Sequence, residues 1–159
     1  MTIIKLLIFS DSHGKVGPML EIAGQVRPDE IIHLGDNLRD GESLSFALPE
    51  IPVIMVPGNC DGWTGQPGEL LLERGGHKLL LGHGHQWRVK SGSELALMYA
   101  RGKGANVLLY GHTHQAHCGW EYGVFALNPG TAGGVGARPT YGLLDLSGAV
   151  PNGRIVSME

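Results

Sequence analysis

Five short polar motifs in this chain contain residue types that commonly bind metal ions, and each motif directly follows an apolar run. They are Ser10-Asp11-Ser12-His13, Gly35-Asp36-Asn37, Gly58-Asn59-Cys60-Asp61, Gly82-His83-Gly84-His85 and Gly111-His112-Thr113-His114. In an α/β protein, ligands bind in the crevice outside the carboxyl ends of the strands. Five such endings therefore predict one convergent site, whereas a single one would equally fit an ordinary turn.

Seven side chains are candidate ligands: Asp11, His13, Asp36, Asn59, His83, His112 and His114. Asp11 and His13 are two residues apart, so in an extended segment both point the same way. The carboxylate of Asp36 has two oxygens and is the candidate bridge between two ions. Nitrogen and oxygen donors without a thiolate cluster favour a catalytic pair of divalent ions over a structural zinc site.

The charge of such a centre predicts an anionic substrate. Two divalent ions carry a charge of about +4, and two aspartates and a bridging hydroxide together carry about −3. The net charge of the centre is therefore roughly +1. Paired metals activate a bridging water for attack and stabilise the attacking and leaving oxygens of an in-line displacement, which suits phosphate esters. The chain has no G-x-x-x-x-G-K-[ST] loop, which disfavours nucleotide hydrolysis of the P-loop kind.

Buried strands and helices alternate in the first half of the sequence. The predicted strands that carry the motifs are Ile3–Phe9, Glu30–Leu34, Val53–Val56, Lys78–Leu81 and Asn106–Tyr110. Their continuous apolar character predicts strands covered on both faces. The predicted helices are Pro18–Val26, Asp40–Ala47 and Ser91–Arg101.

After Asn59 the pattern indicates more strands, and the parallel arrangement is expected to break. Arg74-Gly75-Gly76 predicts a hairpin between Leu70–Glu73 and His77–Leu81. Further strands are predicted at residues 115–120, 124–127, 140–146 and 154–158. Two packed sheets with helices outside are the economical architecture. The glycine-rich loop 130–136 either borders the site or simply turns the chain.

Composition narrows the class of protein further. A chain of 159 residues is most simply one domain spanning residues 1–159. The net charge is −3 without a Lys/Arg cluster, so nothing indicates a nucleic-acid partner. Cys60 and Cys118 form no C-x-x-C pair, which favours a reduced, cytoplasmic protein. The run Ile3–Phe9 is too short to span a membrane.

The five motifs together resemble the calcineurin-like metallophosphoesterases. Gly58–Asp61, Gly82–His85 and Asn128-Pro129-Gly130-Thr131 resemble more narrowly the small YfcE-type phosphodiesterases. The resemblance runs from Ile3 to Leu146 and implies a four-layer α/β-β/α sandwich of two mixed sheets flanked by helices. It also implies a two-metal phosphodiesterase acting on small phosphate esters, with Mn²⁺ expected and Ni²⁺, Fe²⁺, Co²⁺ or Zn²⁺ as alternatives.

The same resemblance assigns ligands to each ion and implies a possible homo-oligomer. One ion takes Asp11, His13, Asp36 and His114, and the other takes Asp36, Asn59, His83 and His112. Asp36 and Asn59 are thus catalytic as well as metal ligands. His85 falls outside the ligand set and is expected to contact substrate or orient a ligand, although a histidine without a catalytic role is the alternative.

Cys60 departs from the wider superfamily, which has a histidine after the asparagine that is thought to protonate the leaving group. A thiol is a poor general acid, so substrates with good leaving groups are expected. The rival function is a protein-binding scaffold like the retromer subunit Vps29, on the same fold with little or no catalysis. The intact ligand positions favour the enzyme.

Overall fold

The computed structural model describes residues 4–159, which form ten strands, three α-helices and two 3-10 turns. The strands are β1 Lys5–Phe9, β2 Glu30–His33, β3 Val53–Met55, β4 Glu69–Arg74, β5 His77–Gly82, β6 Val107–Leu109, β7 His117–Glu121, β8 Val124–Asn128, β9 Thr140–Asp145 and β10 Asn152–Ser157. The α-helices are α1 Val16–Val26, α2 Leu38–Ala47 and α3 Glu94–Gly102, and the 3-10 turns are His85–Trp87 and Val89–Ser91.

The strands form two five-stranded mixed sheets. The first sheet has the order β10-β9-β1-β2-β3, and the second has the order β4-β5-β6-β8-β7. In the first sheet β1, β2 and β3 are parallel, with Ile8 opposite Ile32 and Ile32 opposite Ile54. In the second sheet β5, β6 and β8 are parallel, while β4 and β7 pair with them antiparallel. Each sheet thus presents three parallel carboxyl ends.

The two sheets pack face to face with helices on their outer faces. Leu6 and Ile8 of β1 lie in the core between the sheets, whereas Leu7 and Phe9 lie in the core under α1 and α2. On the other side, Leu80 and Leu108 pack against Ala96 of α3. Alternate residues of a central strand point to opposite faces, so burial on both faces requires the continuous apolar runs seen in the sequence. The predicted four-layer α/β-β/α sandwich is confirmed.

Most predicted elements are present with shifted ends. The residue at which the first strand was predicted to start, Ile3, lies outside the described residues, and β1 begins at Lys5. Helix α3 begins at Glu94, not at Ser91, because Gly92 has a φ of 123° that interrupts the helical path. No helix within residues 4–159 has the length and apolar character needed to cross a membrane.

The second half differs from the prediction in one respect that matters for the site. The hairpin between β4 and β5 is present, and its turn residues Gly75 and Gly76 both have positive φ, as a two-residue type I′ turn requires. The parallel arrangement, however, returns after this hairpin in β5, β6 and β8. The expected break in parallel pairing at this hairpin is thus confirmed, but the sequence did not indicate that parallel pairing resumes after it.

Candidate metal centre

The motif loops lie together at the carboxyl ends of the parallel strands of both sheets. Backbone hydrogen bonds join neighbouring loops, from Asp11 N–H to Gly35 O at 2.9 Å and from Gly111 N–H to His83 O at 2.8 Å. The imidazole Nδ1 of His83, from the second sheet, lies 2.7 Å from Leu34 O of the first. The loops therefore form one cluster that spans both sheets.

Asp11 is fully buried, and its two carboxylate oxygens have different surroundings. Oδ2 accepts hydrogen bonds from Ser10 Oγ–H at 2.6 Å and from His112 N–H at 3.2 Å. Oδ1 is buried without a hydrogen-bond partner in the described chain, and the Nε2 atoms of His114 and His83 lie 3.2 and 3.7 Å from it. A buried charged oxygen left without a partner is costly unless a cation or donor satisfies it.

His83 and His114 are each held by a backbone carbonyl on the other ring nitrogen. Nδ1 of His83 lies 2.7 Å from Leu34 O, and Nδ1 of His114 lies 2.9 Å from Val135 O. A carbonyl oxygen only accepts, so Nδ1 carries the hydrogen in both rings and Nε2 faces the carboxylates. Metal-ligating histidines are oriented in this way, with the second nitrogen donating to a carbonyl or carboxylate.

Asp36 approaches the same point from the end of β2. Its Oδ1 accepts the Cys60 N–H at 2.9 Å, and its Oδ2 lies 3.4 Å from His83 Nε2. Burial alone would raise the pKa of Asp36, but His83 and the Cys60 N–H lower it well below its usual range. Burial alone would lower the pKa of His83, but Asp36 and Asp11 raise it. The carboxylates thus create a site that attracts positive charge.

Two groups of donor atoms are close enough to share an ion, since the atoms of each group lie within 4.8 Å of one another. One group is Asp11, His13 and His114, and the other is Asp11, Asp36 and His83. His83 Nε2, like Asp11 Oδ1, is buried and has no hydrogen-bond partner among the described residues. The residues present therefore fit divalent ions bound by oxygen and nitrogen. Asp11 belongs to both groups, whereas the resemblance places Asp36 between the ions.

The remaining candidates surround this core of donors. The His112 ring lies 5.0 Å from that of His83, and burial together with the charges of His83 and Lys90 lowers the pKa of His112 to about 4. His85 is exposed, with its ring 5.5 Å from His83 and 6.1 Å from His112. Asn59 is exposed beside Cys60 at the rim. The metal-ligand roles of the seven residues stay predictions.

Five of the seven candidate ligands have a left-handed backbone. They are Asp11, His13, Asp36, His112 and His114, with φ between 45° and 71°. For a residue other than glycine this conformation costs about 1–2 kcal/mol. Such strain concentrates at functional sites, where the surrounding structure maintains it. Here the backbone turns sharply at the strand ends, and these five candidate ligands lie at those turns.

A buried polar network supports the Asp11–His13 loop. Ser12 Oγ donates to Asp40 Oδ2 at 2.7 Å and lies 2.8 Å from His33 Nε2, while Gly14 N–H donates to Asp40 Oδ2 at 2.7 Å. Burial lowers the pKa of His33 to about 4, so the ring is neutral. His33 thus joins a network with Asp40 that the sequence did not indicate, because nothing local marks it.

Asp61 joins the Asp36 loop to the Asn59 loop. Its carboxylate accepts hydrogen bonds from the backbone N–H groups of Gly58 at 2.7 Å, Asp36 at 3.0 Å and Leu38 at 2.7 Å. A Cβ at Gly58 would lie 2.1 Å from Asp36 Oδ1, so only glycine permits this approach. Asp61 ends one of the five polar motifs, but no role was predicted for it, because the Asp36 loop that it holds is distant in the sequence.

The glycine-rich loop borders the site. Thr131 Oγ1 donates to Asp11 O at 2.8 Å, Gly133 N–H donates to the same oxygen at 3.1 Å, and Val135 supplies the carbonyl that holds His114. Of the two tryptophans that follow the motifs, Trp87 is buried and Trp63 is 94% exposed.

Comparison with known protein families gives one consistent match. Residues 4–149 match the calcineurin-like phosphoesterase superfamily domain. The chain is 36% identical over 132 residues to the probable metallophosphoesterase YsnB of Bacillus subtilis, covering 80% of this chain and 75% of the relative. It is 30% identical to the phosphodiesterase YfcE of Escherichia coli K12, covering 89% and 88% of the two chains.

Solved structures share the architecture. A predicted phosphoesterase from Streptococcus pneumoniae superposes with a TM-score of 0.83 at 24% identity, covering 99% of this chain and 91% of that one. Vacuolar Protein Sorting 29 from Cryptosporidium parvum superposes with a TM-score of 0.79 at 19% identity, covering 98% of each chain. At these identities the likeness shows the fold alone.

Proposed function

The chain belongs to the calcineurin-like phosphoesterase superfamily, and from this membership we propose that it is a metal-dependent phosphodiesterase that hydrolyses small phosphate esters. Relatives named as phosphodiesterases and metallophosphoesterases support a phosphoesterase hydrolase. The narrower proposal is that two divalent ions occupy the centre and that diesters are the preferred substrates.

One observation carries the proposal: Asp11 Oδ1 and His83 Nε2 are buried side by side without hydrogen-bond partners in the described chain. Leaving both unsatisfied costs stability, and a bound cation removes that cost. Divalent ions bound there would polarise the phosphate oxygens and lower the pKa of water for attack. Mn²⁺ is the proposed ion, with Ni²⁺, Fe²⁺, Co²⁺ or Zn²⁺ as alternatives for this donor set.

The chain's own residues hold and orient the reacting groups. Asp11, Asp36, His83 and His114 have fixed hydrogen bonds on the atoms that face away from the centre, so their free atoms are preorganised. His85 and Asn59 lie exposed at the rim, where we propose that they contact the phosphate ester. With two divalent ions bound, the centre would carry a net positive charge and attract the anionic substrate.

The direct test is hydrolysis of bis-p-nitrophenyl phosphate by the purified protein, with Mn²⁺ and with a chelator. We expect release of p-nitrophenolate that depends on Mn²⁺. Asp36→Asn should reduce turnover by at least about a hundredfold, because one charge that holds the ions is lost. Glu121→Gln, a change on β7 outside the centre, is the matched control and should keep full turnover. Turnover unaffected by the chelator would refute the proposal.

A protein-binding scaffold of the Vps29 kind is the alternative function. Its support is the shared fold, whereas the relatives named as a metallophosphoesterase and a phosphodiesterase, at 36% and 30% identity, favour the enzyme. Stable folding without any metal-dependent turnover would favour the scaffold. One domain over residues 1–159 and a possible homo-oligomer remain proposals, as does a cytoplasmic location, which fits the two free cysteines.

A further inference from the structure

A depression in two adjoining parts lies between the candidate metal centre and α2. The part beside the centre is lined by His13 and Asp36. The farther part is a cavity of about 400 Å³ whose lining includes Arg39, Glu42, Thr64 and Gln66. Three residues line both parts: Asn37, Cys60 and Asp61. The cavity therefore adjoins the candidate metal centre, within reach of a substrate bound there.

The cavity holds hydrogen-bonding groups that the protein itself does not use. The guanidinium of Arg39 and the carboxylate of Glu42 make no hydrogen bond or ion pair with any residue of 4–159, and neither do the side-chain amides of Asn37 and Gln66. Thr64 Oγ1 accepts the Gln66 N–H at 3.2 Å, which leaves its hydroxyl hydrogen free to donate. The cavity thus offers several donors and a carboxylate acceptor.

We propose that this cavity is a substrate subsite for the hydroxyl-bearing alcohol of a phosphodiester, such as a glycerol or sugar moiety. The inference rests on the proposed phosphodiesterase function and deepens it by naming the substrate class. A hydroxyl group both donates and accepts, so it matches a lining with both kinds of group. Arg39 and Glu42 are three residues apart on α2 and lie on one face, so adjacent hydroxyls can reach both.

Charge and polarity disfavour two other occupants. A second phosphate or carboxylate would meet the carboxylate of Glu42, which opposes the attraction of Arg39. The Asp61 carboxylate, which accepts three backbone N–H groups, is a second acidic group in the lining and disfavours an anion further. An aryl group would cover polar atoms without satisfying them, which costs binding free energy. A neutral polyol meets neither obstacle.

The experiment compares glyceryl p-nitrophenyl phosphate with methyl p-nitrophenyl phosphate, which share one charge and one leaving group and differ in hydroxyl groups. The readout is the ratio of kcat/KM for the glyceryl ester to that for the methyl ester. We expect a ratio of about ten or more in the Mn²⁺-loaded protein, and a fall of about tenfold in Arg39→Met, because each hydrogen bond to a charged group is worth about that factor. Glu42→Gln should lower the ratio less.

Arg27→Met is the matched control, since Arg27 is exposed at the end of α1 and lies outside both parts of the depression. Calorimetry with glyceryl methylphosphonate and methyl methylphosphonate measures the same preference without turnover. A wild-type ratio near one, or a ratio that Arg39→Met and Glu42→Gln both leave unchanged, would overturn the subsite alone. Absence of metal-dependent hydrolysis of either ester would overturn the proposed function and the subsite with it.

Discussion

Cys60 lies at the rim of the candidate metal centre, and its backbone serves the centre more clearly than its side chain does. Its N–H donates to Asp36 Oδ1 at 2.9 Å, an interaction that any residue except proline provides. The neighbouring Asp36 carboxylate raises the pKa of the Cys60 thiol, so the thiol is an even weaker acid than usual. The side chain therefore gives little help to a departing alkoxide.

Replacing Cys60 with histidine should relax the dependence on good leaving groups. Cys60→His adds a general acid, which should raise the rate for alkyl phosphodiesters relative to aryl ones by about tenfold or more. The measurement is the ratio of kcat/KM values for methyl and p-nitrophenyl esters. Cys60→Ala is the control and should leave this ratio unchanged. No gain on alkyl esters in Cys60→His would count against the explanation.

His33 makes stability depend on pH. Burial lowers its pKa in the folded protein from 6.5 to about 4, so between these values the unfolded chain binds a proton that the folded chain does not. The stabilisation is therefore complete above pH 6.5 and is lost as pH falls towards 4, by up to about 3 kcal/mol. In denaturant unfolding of the chelator-treated proteins, His33→Gln should lose less unfolding free energy than the wild type as pH falls from 6.5 to about 4. Equal losses in both proteins would exclude this role.

At the level of elements, side chains from α2 and from the loop after β3 hold the strand-end loops in place. Asp40 of α2 holds the Ser12–Gly14 segment, and Asp61 holds the loops around Asp36 and Gly58. Neither contact follows a helical or strand period, so sequence patterns gave no reason to expect them. The predicted order of helices and strands was largely right because apolar periodicity and turn glycines are local signals.

Asp61→Asn should weaken the connection between the β2 and β3 loops. The amide keeps one acceptor oxygen but places an NH₂ group against a backbone N–H, so at least one of the three hydrogen bonds is lost. We expect about 1–3 kcal/mol lower unfolding free energy and weaker Mn²⁺ binding by calorimetry. Asp29→Asn is the control. The Asp29 carboxylate accepts one hydrogen bond, from the Lys5 N–H, at the end of β1 that is remote from the candidate centre. Unchanged Mn²⁺ affinity in Asp61→Asn would contradict the positioning role.

For the whole molecule, the candidate centre connects two sheets that pack against each other through an apolar core. His83 reaches Leu34 O across that interface and places its other nitrogen between Asp11 and Asp36. A cation bound here would thus interact with residues of both sheets at once. Binding to the folded state alone raises stability by mass action.

Metal binding should therefore raise the melting temperature. Mn²⁺ at about a hundred times its dissociation constant adds about 2.7 kcal/mol, or roughly 5–10 °C for a chain of this size. His114→Ala should reduce the shift because it removes one donor of the Asp11 group. His117→Ala, which removes an exposed imidazole paired with Glu121, should keep it. Equal shifts in both variants, or no shift with any of the five candidate metals, would contradict a metal centre at this place.

The sequence by itself determined the donor types, their positions after apolar runs and the order of most elements, because these depend on neighbouring residues. It did not determine that β5, β6 and β8 are parallel, which brings the His83 and His112 loops to the same edge as the Asp11 loop. Nor did it determine that Asp11 Oδ1 is left free while Ser10 and His112 satisfy Oδ2. Those facts arise from contacts between residues far apart in the chain, which only the packing of two sheets establishes.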